Sequence, residues 1–281
     1  MTTSPRRSRR GFTLVEMVVA LTILALFGTA MIRILVAQTH LFAKAAAQRG
    51  TRSVTRSAMN MITSDLRMVE ATQGVVAATS TSLTVRAPYA LGVVCGVSGG
   101  ATIVSVAPVD STVWANAGTT GYAWRNTLGV YNFTETSLSL ASAAATVCTS
   151  ASITTLTNGK TVSVSPALPV GAVAGTVVLF EEQLLYEFKN SVAVPGATGL
   201  WRTVLTTGAT EELVTPFTSS AGFRYYVMNA DTSQAAPPNP LSNTRGIEFV
   251  LAAETTGAAG AASSSSTTTV TAAVFFRNRT N

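Results

Sequence analysis

Arg6-Arg7-Ser8-Arg9-Arg10-Gly11-Phe12-Thr13-Leu14-Val15-Glu16 opens a long apolar stretch that runs on to Val36. A basic flank before an apolar segment is also the plan of a secretory signal. Such a signal is cut after its apolar core, at small residues of the Ala-x-Ala kind. No such site follows here, and the chain passes from Ala37 directly into a second helical pattern. The apolar segment is therefore expected to stay in the mature protein as a membrane anchor. Between Phe12 and Val36 the only charged residues are Glu16 and Arg33. At about 1.5 Å per residue the segment reaches roughly 37 Å as a helix, enough to cross a hydrocarbon core about 30 Å thick. A charge inside such a segment costs roughly 2.5–3.5 kcal/mol on insertion scales, so Glu16 is expected to have a functional reason for its place.

Gly11 followed by Phe12-Thr13-Leu14-Val15-Glu16 resembles the cleavage and methylation motif of prepilins, the precursors of type IV pilins and type II secretion pseudopilins. The resemblance implies that a membrane aspartyl peptidase cuts between Gly11 and Phe12 and methylates the new terminus at Phe12. It implies further that Glu16 forms an assembly salt bridge with the terminal ammonium of Phe12 on another subunit. Burial chemistry agrees, since a lone carboxylate or ammonium is costly in lipid or in a helix bundle, while the two together largely offset each other. The partners implied are prepilin peptidase, other major and minor pilins or pseudopilins, and the inner membrane before assembly.

Charge divides the chain. The leader, residues 1–11, holds Arg6, Arg7, Arg9 and Arg10, which is +4 of the formal +6. This basic flank keeps the amino terminus cytoplasmic by the positive-inside tendency and places the rest in the periplasm or beyond, as a single-pass protein. Residues 33–72 carry Arg33, Lys44, Arg49, Arg52, Arg56 and Arg67 against Asp65 and Glu70, and from Gln73 onward the balance is −1. The high pI belongs to leader and stalk, and it lends a nucleic-acid-binding head little support.

Val54, Ala58, Met61, Ile62, Leu66 and Val69 recur at three- and four-residue steps, and no proline interrupts 12–72. This spacing predicts one helix of about 60 residues, with Gly28 and Gly50 as tolerated or flexing positions. From Gly74 the apolar period shortens toward 2 and Val, Thr, Ser and Gly dominate. Strands are expected at 82–86, 102–106, 161–165, 176–180, 184–188, 200–205, 223–228, 247–251 and 270–276, with Gly, Pro and Asn between them. Segments 141–152 and 255–269 lack large apolar groups and read as surface loops. The fold class is α+β: a long amino-terminal helix, transmembrane over 12–36 and amphipathic over 37–72, packed on an antiparallel β-rich head over 73–281.

The succession Leu184-Leu185-Tyr186-Glu187-Phe188, Leu200-Trp201-Arg202-Thr203-Val204-Leu205, Phe223-Arg224-Tyr225-Tyr226-Val227, Ile247-Glu248-Phe249-Val250-Leu251 and Val274-Phe275-Phe276-Arg277-Asn278 is similar to the carboxy-terminal half of large minor pilins and pseudopilins, the PilW-like and GspJ-like proteins. Residues 73–177 carry no family resemblance. Cys95 and Cys148 lie in the part expected outside the cytoplasm, where disulfides persist, and they either pair or stay as thiols. Paired, they close a loop worth about 4 kcal/mol in the chain-entropy model.

Catalytic chemistry is sparse. His40 is the sole histidine and belongs to the stalk, so no Ser-His-Asp, Cys-His or multi-histidine metal site can be built in the head. Glu181-Glu182 and Glu211-Glu212 are adjacent on expected strands, and strand neighbours point to opposite faces. Asn229 and Asp231 suit turn capping better than calcium, which takes six to eight oxygens. No enzyme and no cofactor are expected. Trp114, Tyr122, Trp124, Tyr131 and Phe133 surround Arg125, a composition of core strands that can also stack on bases or sugars. The chain is expected to be a minor pilin or pseudopilin acting in assembly initiation or at a filament tip. The alternative is a filament-displayed binding module for DNA uptake or adhesion.

Overall fold

Thr13 starts the fold by capping a helix, α1 (Leu14–Leu66), that continues without a break for 53 residues in the computed structural model. The structure describes residues 13–70, 73–107, 118–129, 131–136, 138–155, 157–255 and 266–276. Leu14–Phe42 has a mean hydropathy of 2.3 and none of it is buried. Its threonine hydroxyls are satisfied within the helix. Thr22, Thr29 and Thr39 donate their hydroxyls to the carbonyls of Val19, Leu26 and Val36 at 2.8–2.9 Å. Such internal bonding is what an apolar surrounding requires of a spanning helix. The described residues fall into two compact units, divided between Gly50 and Thr51.

Beyond that division the helix changes character. Ala58, Ile62 and Leu66 are fully buried, one helical turn apart, with Val54 half-buried before them. The helix was expected to reach Thr72, but it ends at Leu66. Val69 and Glu70 turn into the head and are themselves buried. The Gly74 N–H donates to the Glu70 carbonyl at 3.0 Å, and the Gln73 N–H to the Glu70 carboxylate at 2.7 Å. Only glycine fits the corner, because a Cβ on Gly74 would stand 2.2 Å from the Glu70 carbonyl oxygen.

Among the described residues the head is one antiparallel sheet of thirteen strands: β1 (Val75–Ala78), β2 (Ser82–Ser98), β3 (Ala101–Val106), β4 (Gly121–Arg125), β5 (Tyr131–Glu135), β6 (Ser139–Ser142), β7 (Lys160–Ser165), β8 (Val177–Asn190), β9 (Thr198–Val204), β10 (Ala209–Phe217), β11 (Gly222–Val227), β12 (Thr244–Thr255) and β13 (Ser266–Phe275). A short helix, α2 (Thr146–Ser150), lies between β6 and β7. The spine is β2 against β8, paired from Ser82↔Glu187 to Val93↔Val177 with a register shift between Pro88 and Ala90. Proline has no N–H for a ladder, so a break in pairing falls naturally beside it. The outer side of β2 takes β1 along its first half and β3 along its second, and the outer side of β8 takes β4 and then β9.

Two cores follow from this branching. α1 residues Ala58, Ile62 and Leu66 pack with Leu83, Val85, Tyr186, Leu200, Phe217, Phe223, Phe249 and Leu251 in the first. Val94, Val104, Tyr122, Val162, Val164, Val178 and Phe180 form the second. A polar clamp joins helix to sheet. The buried Tyr186 hydroxyl donates to Asp65, the Arg202 guanidinium lies 3.7 Å from the same carboxylate, and its Nε donates to Glu211 at 2.8 Å. Burial, reinforced by the Asp65 charge, pushes the Tyr186 phenol up, so it stays a donor.

Several expectations need correction. Segments 176–180 and 184–188 form the single strand β8, since nothing between them breaks a strand. Segment 141–152 is not a loop. It holds the end of β6 and all of α2, where Cys148 is fully buried. Small side chains suffice there because a disulfide supplies the anchoring. In segment 255–269, residues 256–265 lie outside the described residues, while Thr255 ends β12 and Ser266 begins β13. Consecutive β-branched threonines favour the strand. β10 escaped the pattern because Glu211-Glu212 and Pro216 interrupt its apolar alternation.

Where α1 enters the sheet, Arg86 is almost wholly buried. Its guanidinium donates to the Gln73 carbonyl and pairs with Glu135, while its Nε has no partner among the described residues. Glu181, also buried, faces this cluster. Desolvation raises its carboxyl to about 7 against the opposing pull of Arg86, with Glu70 and Glu135 adding to the rise. The folded state therefore holds a proton that the unfolded state releases near the ordinary carboxylate range. Stability is expected to fall as pH rises from about 4.5 to about 7, by about 1–3 kcal/mol, and to level off above. Denaturation midpoints across that range check it, because Glu181→Gln should flatten this part of the profile. For the core, Ile62→Ala is expected to cost about 2–5 kcal/mol, while the half-exposed neighbour Met61 changed to Ala costs under about 1 kcal/mol.

Candidate functional site

The amino-terminal motif is seen from Thr13 onward, while Gly11 and Phe12, the expected cleavage and methylation positions, lie outside the described residues. Thr13 and Glu16 form a reciprocal cap. The Glu16 carboxylate accepts from the Thr13 backbone N–H at 3.1 Å and from its hydroxyl at 3.2 Å, and the Glu16 N–H donates to the Thr13 hydroxyl at 3.3 Å. This is the capping box, Ser or Thr followed three residues later by Glu or Gln, which satisfies free N–H groups at a helix start. The spacing was visible in the sequence, and its reading as a processing motif hid its reading as a cap.

A helix start also favours a negative charge, through the aligned peptide dipoles. Glu16 thus has local work in the single chain. Leu14, Val15, Met17 and Val18 around it are all exposed, an apolar collar that water would not tolerate over the full 29-residue span. The same carboxylate is free to exchange partners, because a cap of this kind is worth only about 0.5–2 kcal/mol.

In the head, Cys95 and Cys148 form a disulfide, which ties the far end of β2 to α2. With Ile103 they make a third small core, backed by Val147 and Ile153. The two carboxylate pairs divide as strand geometry requires. Glu181 is buried beside Arg86, whereas Glu182 is half-exposed near Arg202. Glu211 pairs with Arg202, and Glu212 accepts from the Ser191 hydroxyl and from the Val192 and Ala193 N–H groups. Asn229 occupies a turn after β11 with φ of 66°, the left-handed region that asparagine tolerates, and Asp231 follows exposed. His40 is exposed on α1, remote in sequence from any of these carboxylates.

The aromatic group does not form one surface. Pairing sets Ala123 opposite Phe133 and Arg125 opposite Tyr131, so Tyr131, Phe133 and Arg125 share one face of the β4–β5 hairpin. Tyr122 and Trp124 take the other face, where Tyr122 is buried in the second core and Trp124 packs against it. Trp114 lies outside the described residues.

Residues 6–32 match the family profile described as the prokaryotic N-terminal methylation motif. No curated protein and no solved structure matches the chain. The profile spans the basic flank, Gly11, the Thr13–Glu16 cap and most of the apolar half of α1, and the architecture behind it is a long helix followed by an antiparallel head. The chain carries a prepilin-type N-terminal methylation motif on the helix that leads into its β-sheet head, and in this it is similar to type IV pilin-like proteins.

Proposed function

We propose that the chain is a minor pilin or pseudopilin that enters a type IV pilus or type II secretion pseudopilus through α1 and acts in assembly initiation or at the filament tip. Glu16 carries the reading. In the free chain its carboxylate closes a cap on Thr13. In a filament the methylated ammonium of Phe12 on a neighbouring subunit would replace Thr13 as its partner, in a surrounding where neither charge is tolerated alone. The exchange releases a cap worth about 0.5–2 kcal/mol, whereas leaving one charge of a buried pair without its partner costs about 3–5 kcal/mol. The difference favours the assembled state.

The size of the head supports a minor role, since a bulky domain of thirteen strands repeats poorly along a fibre and is accommodated at an end. The role is structural rather than catalytic. The one histidine belongs to the unburied half of α1. The division of the aromatic residues between two faces of the β4–β5 hairpin supports assembly over a base-stacking platform for DNA.

Three variants separate cap from ion pair. Glu16→Ala removes both, Thr13→Ala removes only the cap, and Glu16→Gln keeps a side chain able to cap but carries no charge. Recovery of partner pilins with the tagged chain from detergent extracts is expected to fall tenfold or more for Glu16→Ala and Glu16→Gln. Thr13→Ala should stay within a few-fold of the parent, and membrane insertion should be unchanged throughout. Full partner recovery with Glu16→Gln contradicts the ion-pair mechanism.

A further inference from the structure

Six strands of the sheet have an outer side with no strand, or almost none, on it among the described residues: β1, β5, β6, β10, β11 and β13, of which β10, meeting β12 only at Phe217, is blunted by Glu211, Glu212 and Pro216. β1, β5 and β6 are four or five residues long, too short to template much pairing. β11 is covered at its centre, where Tyr225 and Gln234 exchange main-chain hydrogen bonds at 2.8 and 3.0 Å. β13 has neither protection. It is ten residues long, Ser-Thr-Thr-Thr-Val-Thr-Ala-Ala-Val-Phe, with no charge and no proline. Natural edge strands are normally blunted by shortness, lysine, proline, a bulge or a covering loop, because an open ladder recruits another strand.

The orientation of β13 can be read residue by residue. Burial alternates without a break, with Thr269, Thr271, Ala273 and Phe275 exposed and Val270, Ala272, Val274 and Phe276 wholly or partly buried. This regular pleat leaves no room for a bulge. The Phe276 N–H donates to the Arg245 carbonyl at 3.1 Å, and the Val274 carbonyl lies against Gly246, so even-numbered residues spend their main-chain groups on β12. In an antiparallel ladder the alternate residues then aim theirs outward. Thr267, Thr269, Thr271, Ala273 and Phe275 therefore present a row of N–H and C=O groups that no strand among the described residues covers.

An open ladder fixes the chemistry of its occupant, which has to be another extended backbone. We propose that β13 pairs antiparallel with β13 of a second copy of this chain, joining two heads in one continuous sheet. In a two-fold antiparallel contact residue i of one copy faces residue j of the other and j faces i, so a charge at or near the axis meets its own image. An uncharged, β-branched edge is the composition that escapes this penalty while keeping strand propensity. The proposal goes beyond filament entry and does not rest on it, since the pairing needs only the head.

The full chain in detergent micelles at micromolar concentration is expected to sediment as a dimer. Thr271→Pro deletes one outward N–H and leaves the β12 ladder intact, a position where an edge strand tolerates proline. It should weaken the dimer at least tenfold without moving the thermal midpoint, whereas Val270→Pro, which strikes the β12 ladder, should lower that midpoint. Thr269→Lys with Thr271→Lys, which sets like charges across the two-fold, should give a monomer and decides the matter if the proline variant does not fold. A monomeric wild type, the outcome if the edge is kept for a strand of a different protein, overturns the proposal. So does a dimer that survives the double lysine variant, since the anchor helices would then be what joins the copies.

Discussion

One helix has to satisfy two surroundings, and most of the structure answers that constraint. Over Leu14–Phe42 every side chain is left uncovered and nearly all are apolar, so water is excluded as the medium around them. From Thr51 to Leu66 the same helix buries a narrow stripe, one residue per turn, and turns Arg52 and Arg56 to solvent. The first half calls for lipid or for other helices of its kind. The second calls for a sheet, which the rest of the chain builds.

That sheet is organised by two long strands. β2 and β8 run through both cores, and each carries one set of partners near α1 and another beyond Pro88. The part of the helix beyond Thr51 is held on the sheet by carbon contacts and by the Asp65–Tyr186–Arg202 clamp. Arg86 and its carboxylates close the corner where helix becomes strand, at the cost of keeping Glu181 protonated below about pH 7. A buried polar cluster of this kind fixes one arrangement of the chain better than it stabilises it.

Much of this was legible in the amino acids. Apolar spacing revealed α1 and its two halves, and every expected strand falls on an observed one, because period and composition agree wherever side chains alternate cleanly. Legibility failed where long-range partners override local pattern. α2 is made of Thr, Val, Cys and Ser and holds through the Cys95–Cys148 bond rather than through its own packing. β10 carries Glu211 and Glu212 near its start, and their partners are Arg202 on β9 and the turn at 191–193. Arg86 has no partner in its own strand, and Gln73 and Glu135 come to it from separate parts of the chain. At the candidate site the case was reversed. Thr13 and Glu16 are close enough to be read locally, and both the cap and the processing motif lie in the same five residues.

Assembly through α1 depends on what becomes of the amino terminus. If Phe12 is the first residue of the mature chain, its ammonium comes four residues before Glu16 in the sequence, beside the apolar span, where a lone charge needs a partner. Intact-mass measurement and terminal sequencing of the protein from its native membrane test this most directly. The expected result is a chain beginning at Phe12 with one added methyl group on its amino nitrogen. A mature chain that keeps Arg6–Arg10, or one cut on the far side of Val36, would contradict it.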